Sequence, residues 1–146
     1  MFKIIGGKLH HKKLKMSDSG ASAVVPGTLL KWTADGLVTL SSSEDLSSLN
    51  GIVYMAVDYY KNAYANGYIG VVNVQSEFEA HINSSHIGEA VSLGSILTIR
   101  DGKWTIADTT GDVVCAVVEE ANSSTATTAT WKITTRCFQY ALAASV

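Results

Sequence analysis

One proline, Pro26, and two cysteines, Cys115 and Cys137, are all that these 146 residues contain of either type. So little cysteine excludes a disulfide-stapled mini-protein. At this length none is required, because a single domain of such size buries about two thirds of its unfolded surface. The two cysteines allow one disulfide, but Cys115 is followed by AVVE and Cys137 by FQY, which offers neither metal-ligand spacing nor a redox motif; the expectation is buried free thiols. No apolar run approaches the roughly 20 residues of a spanning helix. Met1 to Met16 is basic but lacks the apolar stretch and small-residue cleavage site of a signal peptide. The expectation is therefore a chain made and kept in a reducing cytoplasm unless an assembly carries it out.

Chemistry-bearing patterns are equally scarce. There is no G-x-S-x-G elbow and no phosphate-cradling glycine loop. His81 and His86 are five apart with no glutamate at helical spacing, and His10 and His11 lie among lysines that would repel a cation; neither pair matches a zinc signature. Glu77 and Glu79 share a strand face, yet nothing buries or opposes them as raised carboxylate pKa values require, so they are read as solvated edge charges. The expectation is a protein that is not an enzyme and uses no metal and no cofactor.

What is present is a composition rich in Val, Thr, Ser, Ala and Gly with only 16% charged residues, which suits strands and turns. Charge is unevenly placed. Five of the eleven basic residues, Lys3, Lys8, Lys12, Lys13 and Lys15, fall before the first acid, Asp18, while the remainder carries thirteen acidic side chains. A basic segment on an acidic body reads as a tether for a negative partner, and the body's charge opposes nucleic acid. Residues 1–23 are read as a flexible, extended arm and linker, ending in SDSGASA, that orders on a partner.

From Val24 to Val146 the pattern is that of one β domain. In GSILTIRDGKWTI, Gly94 to Ile106, a two-residue turn at Asp101-Gly102 pairs Arg100 with Lys103, Ile99 with Trp104, Thr98 with Thr105 and Leu97 with Ile106. One face is then apolar and the other polar, and Asp-Gly suits the positive φ angles of a type I′ turn. In VVPGTLLKWTADGLVTL a three-residue loop, Ala34 to Gly36, would align Trp32 with Val38 and Leu30 with Leu40. Gly36 and Gly102 are thus structural turn residues.

The two hairpins are alike. Gly27-Thr28-Leu29-Leu30 parallels Gly94-Ser95-Ile96-Leu97; GIVYMAVD parallels GDVVCAVVE, with Met55 over Cys115; VNVQSEF, Val72 to Phe78, parallels WKITTRC. These matches predict an internal duplication, about 24–80 and 91–140, with the halves packed across a shared apolar layer. The fold class expected is all-β, a small antiparallel barrel or sandwich. Between the matched pieces, YYKNAYANG places Tyr59, Tyr60 and Tyr64 in a loop ahead of Tyr68, a candidate recognition surface because Tyr brings rigid contact area with a polar end.

VVPGTLLKWTADGLVTL with GIVYMAVD, and GEAVSLGSILTIRDGKW with GDVVCAVVEE, resemble the small head decoration, or cement, proteins of tailed bacteriophages, over Val24 to about Thr135. The resemblance implies a barrel-like module, often trimeric, that sits where capsomers meet and stiffens the shell. It implies the major capsid protein as partner, a homo-oligomer with a trimer favoured, and a place on the virion surface after synthesis in the host cytoplasm. No membrane partner is expected. The arm residues Phe2, Lys3, Ile4, Ile5, Lys8, Lys12, Lys13 and Lys15 are the candidate capsid contacts, the lysines meeting acidic groups and Phe2, Ile4 and Ile5 filling apolar gaps. The competing expectation is a fibre or host-recognition module that binds a glycan or receptor through Tyr59, Tyr60, Tyr64 and Tyr68.

Overall fold

The computed structural model describes residues 3–7, 11–17, 24–46, 53–57, 67–74, 76, 78–121 and 132–141. They form strands β1 (Lys3–Gly7), β2 (His11–Lys15), β3 (Leu29–Thr33), β4 (Gly36–Thr39), β5 (Val53–Ala56), β6 (Tyr68–Asn73), β7 (Phe78–Asn83), β8 (Ile96–Arg100), β9 (Lys103–Ile106), β10 (Val113–Ala121) and β11 (Lys132–Ala141), with a 3-10 turn at Ser84–His86. No α-helix occurs among the described residues, and the chain is all-β. A first sheet runs β2-β6-β5-β3-β4 and a second runs β1-β7-β11-β10-β8-β9, both wholly antiparallel. Neither closes into a barrel.

With β1 set aside, the two strand orders are the same. Each unit has a first strand, a hairpin and two further strands: β2, β3–β4, β5, β6 against β7, β8–β9, β10, β11. The likeness reaches individual hydrogen bonds. Val25 N donates to Thr28 Oγ1 and Ser92 N to Ser95 Oγ, each at 3.1 Å. Gly27 N donates to Ala56 O and Gly94 N to Val118 O, each at 2.8 Å. Met16 bridges Leu37 as Ile87 bridges Trp104, and the next amides, Ser17 N and Gly88 N, donate to the Leu37 and Trp104 carbonyls at 2.8 Å. The hairpin alignment read from the sequence, Gly27 with Gly94 and Leu30 with Leu97, agrees with these bonds. The two later alignments shift. Tyr54 opposite Leu30 corresponds to Ala116 opposite Leu97, which sets Ala56 at Val118. Phe78, expected to match Cys137, is instead its neighbour across the β7–β11 ladder. Register shifts in β10 at Val114/Ala116 and Val118/Glu120 mark irregularities that matching sequence without gaps does not register.

The β8–β9 hairpin has the expected register, with positive φ at Asp101 (53°) and Gly102 (73°). The β3–β4 hairpin does not. It pairs Trp32 with Leu37 and Leu30 with Thr39 around a two-residue connection, Ala34–Asp35, so the two loops have equal length, with Gly36 (φ 124°) taking the positive angle. The expected register assumed one buried face. Here Leu29 and Leu30 are both buried, at 4% and 0% exposure, and the criterion loses its force.

The same two-sided burial sets how the sheets stack. Leu29, Val53, Met55, Val72 and Val74 of the first sheet meet Phe78, Ile82, Leu97, Ile99 and Trp104 of the second in one apolar layer. Leu30, Leu37, Tyr54, Ala56, Ile69 and Val71 point the other way into a second cluster with Met16 and Val24. Leu97 and Leu30, topologically equivalent, therefore lie in different cores, and the units stack face to back. Strands β5 and β6 read as continuous apolar runs because both of their faces are covered; each fully buried Val, Leu or Ile contributes about 1.5–3 kcal/mol.

Within the segment read as an arm, the described residues include two strands. β1 pairs with β7 and β2 with β6. Leu14, half-buried, and Met16, buried, alternate with the exposed Lys13 and Lys15, the period-two pattern of a strand with one face on a core.

Candidate interaction surface

The described lysines of the N-terminal segment lie on the edge strands β1 and β2. Lys3 is opposite His81 and Ile4 opposite Ala80, with Ile5 at the register shift between Ile4 and Gly6. In β2, Lys12 is opposite Val71, Lys13 opposite Gly70 and Lys15 opposite Tyr68. Lys13 and Lys15 are exposed, and Tyr68 is 39% exposed. The structure thus places two exposed lysines and one exposed tyrosine together on the β2–β6 pair, joining a residue from each of the two candidate sets. Phe2, Lys8, Tyr59, Tyr60 and Tyr64 lie outside the described residues, as does Glu77.

Two hairpin cations, Lys31 and Arg100, are paired internally. Lys31 Nζ pairs with Glu44 Oε2 at 2.5 Å, and Glu44 Oε1 accepts Ser41 N at 3.0 Å. Burial raises the Glu44 pKa, but the bonds from Lys31 and Ser41 and the Lys31 charge outweigh it and hold the carboxyl below its usual range. Arg100 Nη2 binds Asp112 Oδ2 at 2.7 Å and Asp108 Oδ1 at 3.3 Å, while Asp112 Oδ2 also accepts Asp108 N and Thr109 N. Burial works against the Arg100 charge, but Asp112, Asp108 and Asp45 together hold its proton more firmly than usual. Each unit thus ties the loop after its hairpin with an acid that pairs with a hairpin cation and accepts one loop amide, in the case of Glu44, or two, in the case of Asp112.

The units also touch through polar groups. Asp101 N donates to Asp45 Oδ1 and Gly102 N to Glu44 O, each at 3.0 Å, so the second hairpin's tip sits on the first unit's loop. His86 packs where a side chain at Gly27 would stand, 2.8 Å from the ideal Cβ position. Burial, the larger effect, pushes the His86 pKa below the ordinary imidazole value; a hydrogen bond with the Pro26 backbone opposes this and Lys103 adds to it. His81 lies in β7, and no group of three or more His, Cys, Asp or Glu that could hold a metal occurs among the described residues. Cys115 is fully buried.

Trp32 escaped the sequence reading. Expected on an apolar hairpin face, it is 54% exposed. The only signal is indirect: its neighbour Lys31 turns to Glu44, and its register partner Leu37 is covered by Met16. Comparison with protein-family models, curated proteins and solved structures finds no match for this chain.

Proposed function

We propose that the chain is a non-catalytic structural protein that docks on the outer surface of a tailed-phage head and stiffens it, with Lys13 and Lys15 meeting acidic residues of the major capsid protein. In this reading it acts as a homotrimer, is made in the host cytoplasm and ends on the virion surface. One observation carries the docking: Lys13 and Lys15 are exposed on a strand built into the fold, where Lys15 stands opposite the exposed Tyr68. A rigid basic strand docks without the ordering cost of a loose arm, and repetition over a lattice multiplies modest contacts.

Deleting residues 1–16 is an unsuitable test, because it removes Met16 and Leu14 from the second cluster. Charge reversal is cleaner: Lys13→Glu with Lys15→Glu is expected to abolish co-sedimentation with empty heads and leave the urea transition in place. Wild-type binding is expected to weaken between low salt and about 0.5 M salt, where screening shortens to a few ångströms. Binding that ignores both changes refutes the proposal. The exposure of Tyr68, at the end of the tyrosine-rich segment, favours one second reading, a glycan-recognition module. Retention on a glycan array by a protein that does not bind heads would establish it.

A further inference from the structure

We propose that copies of this chain associate head to tail, with the first unit of one copy receiving the back of the second unit of the next. The contact repeats the one already made between the two units of a single chain. Inside the chain that contact has two unlike sides. The second unit brings Ile99 in the apolar layer and the Asp101-Gly102 tip, which sits on the first unit's loop. The first unit brings the Leu29–Met55 pair, at 4% and 0% exposure, and the Pro26-Gly27 turn, over which His86 packs.

Four of these features have counterparts in the other unit, and each counterpart is less covered. Trp32, opposite Leu37, holds the place of Ile99, opposite Trp104, but is 54% exposed against 1%. The Ala34–Asp35 tip holds the place of Asp101-Gly102 and is exposed. At the other end of the stack, Leu93-Gly94 holds the place of Pro26-Gly27: Leu93 is 68% exposed, and a Cβ at Gly94 meets nothing within 4 Å. The Ile96–Val117 pair holds the place of Leu29–Met55 and is only half-buried. Leu30 and Leu37 are already enclosed in their own cluster, so Trp32 is the apolar group that this face still offers. A covered tryptophan buries about 150–250 Å², and tryptophan is enriched among the few residues that dominate an interface. Each copy thus displays both halves of its own internal contact. Such a contact between unlike patches is heterologous, and it closes into a ring or runs on as a filament. A ring of three is the closed form that the docking reading calls for, but the contact itself does not rest on that reading.

The test is sedimentation velocity of the full chain over about a hundredfold range of concentration, using wild type, Trp32→Asp, Leu93→Asp and an equal mixture of the two variants. Wild type is expected to gain mass as concentration rises, at about 0.5 M salt as well as at low salt, because the contact is apolar and not screened. Either substitution alone is expected to weaken association about tenfold or more. Both keep the wild-type urea midpoint, since each side chain is more than half exposed. The mixture is the decisive sample. Leu93 of the Trp32→Asp variant still fits Trp32 of the Leu93→Asp variant, so the mixture forms a one-to-one dimer that grows no further. A wild type that stays monomeric at the highest concentration overturns the inference, and so do variants that associate like wild type. A mixture that stays monomeric while wild type associates overturns it too, because the contact is then not between these two unlike surfaces. Co-sedimentation with empty heads separates this inference from docking: association without binding to heads keeps the inference and removes docking, and binding by a chain that stays monomeric does the reverse.

Discussion

Gly27 and Gly94 form a matched pair for measuring the contact between the units. Both follow the same turn, have φ near +90° (96° and 86°) and donate to equivalent carbonyls. Their surroundings differ. A Cβ on Gly27 would lie 2.8 Å from His86 Cδ2 and 3.0 Å from its Nε2, while one on Gly94 meets nothing within 4 Å. Gly94→Ala should therefore cost only the positive-φ penalty, about 1–2 kcal/mol. Gly27→Ala carries the same penalty plus overpacking, about 1–3 kcal/mol more. Urea denaturation of both variants measures the difference, and His86→Ala supplies the cycle. In that background the extra cost of Gly27→Ala should disappear, a coupling of about 1–3 kcal/mol. Equal costs for the two glycines, or no coupling to His86, would show that the ring does not hold the units together as described.

Other outcomes follow from the same geometry. Because folding lowers the His86 pKa, the contribution of its neutral form is fully present above about pH 6.5, the unfolded value, and is lost as pH falls through the lowered folded value; His86→Gln should flatten that part of a stability-against-pH curve. Glu44 acts in a separate, more acidic window: its pKa is also lowered, so its contribution is present above about pH 4.5 and declines below it, and Glu44→Gln should remove that decline. Asp112→Ala should destabilise by about 2–3 kcal/mol in urea, since its Oδ2 holds Arg100 and two loop amides. Asp108→Ala, at the exposed arm of the same cluster, should stay within about 0.5 kcal/mol.

Local chemistry was legible in the sequence where it was self-sufficient. Asp101-Gly102 between alternating runs specified the register and turn of β8–β9, and Gly27-Thr28 against Gly94-Ser95 identified the equivalent hairpin entries. The β3–β4 register was hidden because Leu29 and Leu30 bury opposite faces in different clusters, which alternation within one hairpin does not reveal. β2 was hidden for a different reason: three lysines and a histidine outweigh Leu14 and Met16 in any compositional view, although the alternation is there. At the candidate surface, the sequence pointed to Lys13, Lys15 and Tyr68 separately. That Lys15 and Tyr68 are opposite each other depends on the β2–β6 ladder, a long-range pairing.

The short segments that follow the first strand of each unit have an effect beyond stability. Ser17 occupies the Leu37 carbonyl on the margin of β4, and residues 87–89 occupy the Trp104 carbonyl and, through Glu89 Oε1, the Ile106 amide on the margin of β9. An unprotected strand margin is a template for unplanned pairing between molecules. Here each hairpin's outer strand is closed off by its own chain, by the same device twice. Copies crowded together at high local density are thus hindered from zipping through these margins into fibrils, and association is left to side-chain contacts that can select a partner.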